Sequence, residues 1–142
     1  MTPVRRSRAG LIGLWVAQIA LACLFLNAGG SKLAGAPEMV ALFEAIGVGQ
    51  WFRYVTGLIE VGSAIALFVP SLAVFGAGAL VATMLGAIAT HVFVLGVSPA
   101  VPAVLLLAAL VVVWARRGQL VAALPDRIVE ALGRFGRSPA SY

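Results

Sequence analysis

The chain has 142 residues, 62% of them hydrophobic and only 11% charged, where soluble domains carry roughly 25% charged residues. So little charge leaves no surface for water, which excludes an ordinary soluble enzyme and points to a single integral membrane domain. The formal net charge is +5, but the cations sit at the chain's ends rather than on one folded patch, which excludes a nucleic-acid-binding face.

Residues 1–10 form a basic leader with Arg5, Arg6 and Arg8. Leu11 to about Leu33 is the first apolar span. A secretory signal peptide cleaved near Ala34-Gly35-Ala36 is the rival reading. The long apolar core and the three apolar segments that follow argue against it. Cys23 lies mid-span, where a lone thiol serves as a small packing residue.

Gly35 to Gln50 is too short to span. Pro37 suits a first helical turn, and Glu38 suits the positive end of the helix dipole. Met39, Phe43 and Ile46 share one face, with Glu44 off it. This predicts a short interfacial helix between the first two spans. Trp51 and Tyr54 then fall where an aromatic belt belongs.

The second span runs from Trp51 to Pro70. Arg53, Gly57, Glu60 and Ala64 recur at helical spacing, flanked by Thr56 and Ser63. Leu58, Ile59, Val61, Ile65 and Phe68 take the remaining positions. Small and polar residues make helix contacts in a membrane, while bulky ones face lipid. Glu60 is therefore expected to point into a bundle, since a carboxylate in hydrocarbon costs several kcal/mol, about 2.5–3.5 on insertion scales.

The third span, about Leu72 to Leu95, places Gly76, Thr83 and Thr90 seven apart, with Ala79, Gly86 and Ala87 nearby. His91 follows near its far end. After a turn with Pro99 and Pro102 comes a fourth span. Its core is Ala103 to Trp114, it contains no polar residue, and it ends at Arg116-Arg117. The tail, 118–142, contains LPDRIVEALGRFG, whose Ile128, Leu132 and Phe135 predict a short surface-lying helix. The expected fold is thus an all-α, four-helix membrane bundle over 11–117.

Leader, stop signal and tail hold eight of the ten basic residues. With four spans both termini share a side, and the basic side is expected to be cytoplasmic. Span order then places Lys32, Glu60 and His91 at similar depth in the outer half of the membrane. Asn27, Ser31, Arg53, Thr56 and Thr90 add polar groups at that level. An opposite charge would keep Glu60 ionised, and His91 beside it would handle protons. Plainer roles stand beside these. Lys32 can snorkel to the interface, Arg53 can anchor there, His91 can cap a helix end, and the whole group can be a structural salt bridge. One His without a Cys cluster gives no metal site.

The runs GGSKLAG, PEMVALFEAIGVGQWFRYVTGLIEVGSAIALFVP and GAIATH, followed by a glycine-proline turn, resemble the DoxX-like family of small bacterial membrane proteins. The resemblance covers Leu11 to Arg117, with Lys32, Glu60 and His91 at the matching positions. It implies a four-helix bundle in the bacterial cytoplasmic (inner) membrane. The family name derives from a subunit associated with a thiosulfate:quinone oxidoreductase, and some relatives are linked to thiol and oxidative-stress complexes with soluble partners. With one cysteine, this chain is not expected to be a self-contained thiol oxidoreductase.

Three functions follow as expectations. The first is a membrane subunit of a quinone- or thiol-linked redox system. In it Glu60 and His91 handle protons, and Lys32, Asn27, Ser31, Arg53, Thr56 and Thr90 contact a lipophilic ligand. The second is a proton-coupled small-molecule transporter. The third is a non-catalytic anchor for a soluble partner. The sequence names no cofactor, and a quinone is one class such a bundle could hold. Membrane lipid, a second copy of the chain or a soluble oxidoreductase are the expected partners.

Overall fold

The structure is a computed structural model, and it describes residues 8–119. The expected tail helix and most of the basic leader lie outside the described residues. Five α-helices follow in order: α1 Arg8–Ala34, α2 Pro37–Ile46, α3 Gln50–Phe68, α4 Ala73–Thr90 and α5 Ala100–Arg116. A single π-helical turn, His91–Leu95, continues α4.

Each boundary has a local cause. Gly35, at φ 73°, adopts a left-handed conformation that ends α1 without the Cβ penalty. The amide of Ala36 then bonds back to the Ser31 carbonyl at 3.0 Å. Pro37 opens α2, where its missing N–H costs nothing. Gly47, at φ 78°, closes α2 by donating to Phe43 and Glu44 carbonyls. The short helix is held by Phe43, which is buried and meets Phe52 edge-on at 5.9 Å. Glu44 is exposed, as its position off the apolar face requires. Pro70 cannot donate, so α3 stops, and Val69 takes the Ala66 carbonyl.

The helices form a closed ring. α1 packs on α3, α3 on α4 and α4 on α5, while α5 returns more thinly to α1. Cross-contacts fix the directions as antiparallel. Lys32 meets Glu60, and Gln18 meets Leu67, at opposite ends of the α1–α3 pair. The core fills between them with Leu21 and Phe25 of α1, Leu67 of α3, Leu80 and Met84 of α4, and Val112 of α5.

Hydrocarbon provides no hydrophobic drive between helices, so close packing and polar contacts must hold them. Two glycine crossings supply the packing. A Cβ on Gly29 would lie 2.9 Å from the Gly57 carbonyl, and one on Gly76 would lie 2.7 Å from the Ser63 carbonyl. The outward faces carry large apolar residues such as Leu58, Ile65, Phe93, Val104 and Trp114, all exposed, as a lipid-facing surface requires.

α1, α3 and α4 with its π turn are each long and apolar enough to cross a membrane. α5 has 17 residues, the lower end of the roughly 17–25 that span.

Two expectations need correction. The buried stripe of α4 is Ala73, Gly76, Ala77, Leu80 and Met84, and Gly86 is exposed. Small residues marked the helix well at Gly76, but Leu80 and Met84 supply most of the remaining contact. Cys23 is exposed and so is not packed inside the bundle. It stands two residues from both Leu21 and Phe25, about 200° round the helix.

Candidate functional site

Helix geometry builds the central contact. In any α-helix the Cα–Cβ bonds lean toward the N-terminus. α1 and α3 are antiparallel, so Lys32 leans down α1 toward the membrane interior and Glu60 leans up α3 toward it. The Gly29–Gly57 crossing lets the two backbones approach between them. The side chains meet with Lys32 Nζ donating to Glu60 Oε2 at 2.7 Å. The Glu60 side chain is 3% exposed and that of Lys32 14%. The acid is sealed inside, and the base is the reachable partner.

Arg53 supports this pair from one turn above Gly57. It is buried, which corrects the reading of an interface anchor. Its Nε donates to Gln50 Oε1 at 2.7 Å, and its Nη1 donates to the Lys32 backbone carbonyl. That carbonyl belongs to the last turn of α1, where a cation complements the helix dipole. The guanidinium also lies over Tyr54, 4.3 Å from the ring centroid. Gln50 in turn donates to the Val40 carbonyl at 2.9 Å. Arg53 and Gln50 thus tie α1, α2 and α3 together directly beside Lys32.

The other expected residues divide. Ser31 is half-buried beside Lys32, but Asn27 is exposed. Depth placed Asn27 correctly, yet it lies two residues from both Phe25 and Gly29, on the far side of the helix from the contact face. Thr56 donates to its own helix at Phe52 and Arg53 carbonyls, 3.0 and 3.1 Å. Thr90 donates to Gly86 at 2.9 Å. Both hydroxyl protons are therefore used within their helices.

His91 opens the π turn, which packs against α2 and so stands at the same end of the bundle as Lys32. Its Nδ1 donates to the Ala87 carbonyl at 2.8 Å. Among the described residues no hydrogen bond or ion pair joins His91 to Lys32 or Glu60; the direct pairing seen is that of Lys32 with Glu60. The helix-capping role is the one seen.

A second polar contact escaped the sequence reading. Gln18 is 1% exposed. Its Nε2 donates to the Leu67 carbonyl at 2.9 Å, and its Oε1 accepts from Arg116 Nε at 2.9 Å. Arg116 also lies 5.3 Å from the Trp15 centroid. The signal was present in α1, because Gln18 continues the buried spacing of Leu14, Leu21, Phe25 and Gly29. The Leu67 carbonyl is among the last of α3 and has no intrahelical donor, which is why a neutral amide is wanted there. Among the described residues no group of three or more His, Cys, Asp or Glu is placed to hold a metal ion.

A family model described as the DoxX-like family matches residues 16–115, from within α1 to the penultimate residue of α5. No curated protein and no solved structure matches the chain.

Proposed function

The chain belongs to the DoxX-like family, and on that premise we propose that it is a four-span subunit of a quinone- or thiol-linked redox system in the bacterial cytoplasmic membrane. It holds a small lipophilic molecule against Lys32 and Glu60. The observation that carries this reading is the buried ion pair, 2.7 Å long, with its cation more exposed than its acid. A clamp between helices can be made from neutral groups, as Gln18 and Leu67 do at the other end. Two charges are a costly way to do the same job, because desolvation offsets most of their attraction.

The donor set fits a head-group carbonyl. An ammonium has three N–H donors, and one is committed to Glu60. A second can be given to a carbonyl oxygen arriving from the lipid side. Glu60, next to it and shielded from water, holds or releases a proton as the charge on that oxygen changes. A quinone, when bound, supplies two-electron, two-proton chemistry, with electrons from a soluble oxidoreductase partner. Arg53 positions Lys32 by fixing the carbonyl of the same residue. His91 stands at the rim, where its remaining ring nitrogen can pass protons toward solvent.

The fourth span rests on the bundle itself. Arg116 is tied to Gln18 in the N-terminal half of α1, while Ala100 follows the π turn at the other end. α5 therefore runs beside α4 and α1, which supports its reading as a fourth span. The basic leader and the Arg116-Arg117 stop support a topology with both termini in the cytoplasm. A cysteine introduced by Val48→Cys, in a Cys23→Ala background, should react with an impermeant reagent in intact cells, while Thr2→Cys and Ala140→Cys should not. The opposite pattern overturns the topology.

Purification in mild detergent followed by mass spectrometry tests the ligand. The parent should carry a lipophilic carbonyl compound, lost from Lys32→Met and Glu60→Gln at near-normal stability. Unchanged retention per folded molecule in both variants would make the pair structural. Substrate-driven proton flux in vesicles would instead identify a transporter.

A further inference from the structure

The face of α1 turned away from the bundle carries a polar group deep in the membrane. Asn27 is exposed, and among the described residues no hydrogen bond reaches its side chain. Its depth follows from a neighbour. A Cβ on Gly29 would lie 2.9 Å from the Gly57 carbonyl and 3.1 Å from Glu60 Cβ, so α1 crosses α3 near the middle of that span. Asn27 lies two residues from Gly29, about 3 Å along the axis, on the interior side.

An amide at that level faces hydrocarbon, which offers neither donor nor acceptor, and leaving it unpaired there is costly. The hydroxyls of α4 show the usual escape. Thr83 and Thr90 donate to the Ala79 and Gly86 carbonyls of their own helix, each at 2.9 Å. Asn27 makes no such return to α1.

The residues that share its face are ordered. Val16, Ala20, Cys23, Asn27, Gly30 and Ala34 follow at alternating steps of four and three, the spacing of a left-handed helix–helix seam. Gly30 is half-buried and the other five are exposed. Gly30 differs from Gly29 in what it faces. The Gly29 position is fixed by α3, whereas a Cβ on Gly30 would meet nothing within 4 Å. Glycine weakens a helix interior, and among the described residues no contact requires it at position 30.

From these observations we propose that two copies of the chain pair through α1, with Asn27 hydrogen-bonded to its counterpart in the second copy. All copies enter the membrane in the same orientation, so a two-fold axis along the membrane normal sets the two α1 helices parallel. In a parallel seam each residue faces its own counterpart. A carboxamide suits that position because it both donates and accepts, so each Asn27 gives an N–H to the oxygen of the other. Ala20, Gly30 and Ala34 let the backbones approach. Cys23, which the bundle leaves outside, packs between the copies. One polar residue in an otherwise small and apolar seam fixes its register. Lys32 turns from this face to meet Glu60 on α3, so the pairing does not depend on the ligand reading above.

The test uses the full chain reconstituted in phospholipid vesicles. Copper-phenanthroline oxidation should join native Cys23 pairs into a dimer on non-reducing gels. Leu58→Cys in a Cys23→Ser background, on the exposed face of α3, should stay monomeric. Energy transfer between terminally labelled copies, followed as lipid dilutes them, reports the association constant. Asn27→Leu should weaken association about fivefold, the effect of roughly one interhelical hydrogen bond in a membrane. Gly30→Leu should weaken it at least as much, with an unfolding midpoint in detergent no lower than the parent's. Undiminished association in Asn27→Leu would overturn the proposal. So would cross-linking of Leu58→Cys as efficient as that of Cys23, which would mark random collision. A parent that stays monomeric at every dilution, yet loses a co-purified compound in Asn27→Leu, would also overturn it and make Asn27 part of a ligand site instead.

Discussion

The two ends of the α1–α3 pair solve one problem in different ways. At the Lys32 end two opposite charges meet, one sealed and one reachable. At the Gln18 end a neutral amide bridges a helix-terminal carbonyl and an arginine, with the amide fully enclosed. Both contacts join the same helices, so mechanical need alone does not separate them. A neutral bridge loses little when it is made and costs its full desolvation when it is broken. An ion pair is near neutral in net stability, but it can exchange a proton or a partner. On the proposed function, stability falls chiefly to the Gln18 end and chemistry to the Lys32 end.

The strongest disturbance is steric and acts at the charged end. Gly29→Leu drives side-chain atoms into the Gly57 backbone, where even a Cβ lies 2.9 Å from the carbonyl. It should cost about 3 kcal/mol or more, read as lost monodisperse protein and a lower unfolding midpoint in detergent. Gln18→Leu should follow at about 2 kcal/mol, because the Leu67 carbonyl and the Arg116 N–H lose their partner in an apolar setting. Glu60→Gln should cost less, about 1 kcal/mol, since an amide oxygen still accepts from Lys32 and the lysine stem can reach the interface. Ligand retention should nevertheless fall in Glu60→Gln and persist in Gln18→Leu per folded molecule. Unfolding midpoints in the reverse order would remove the division of labour between the two ends.

The remaining changes sharpen the picture at smaller scale. Arg53→Ala releases the Lys32 carbonyl and Gln50, and about 1 kcal/mol is expected, with weaker ligand retention because Lys32 loses its support. Thr90→Val removes only an intrahelical bond to Gly86. It should change stability by less than about 0.5 kcal/mol and leave ligand retention intact. A large functional loss there would return Thr90 to the site.

Much of α3 was legible because one period governs it. Arg53, Gly57, Glu60 and Ala64 are buried, as spacing alone predicts, and Leu58, Ile59, Ile65 and Phe68 are exposed. The Lys32–Glu60 meeting was legible from depth, because antiparallel helices lean their side chains toward each other. Depth without azimuth failed for Asn27, which shares the level and faces away. For His91 the contact seen is local: its ring turns back to the Ala87 carbonyl where the π turn begins. Gln18 is inconspicuous in the sequence because it carries no charge. A neutral amide inside an apolar helix also costs free energy to bury without a partner, though less than a charge does. Arg116 read only as a stop signal, since nothing in sequence joins it to a residue 98 positions earlier.

The arrangement of polar contacts also has an order in time. Lys32 with Glu60, Arg53 with the Lys32 carbonyl, Gln50 with Val40 and Gln18 with Leu67 all lie between Arg8 and Phe68. A chain emerging N-terminus first has therefore synthesised both partners of each contact before α4 begins. Gln18 keeps one oxygen for Arg116, and Pro70 keeps its carbonyl for Gln119, until α5 arrives. The α1–α3 hairpin can thus enter the membrane with its charges already matched. Residues near the end of α5 then act as a latch, recording that the last helix has come to rest beside the first.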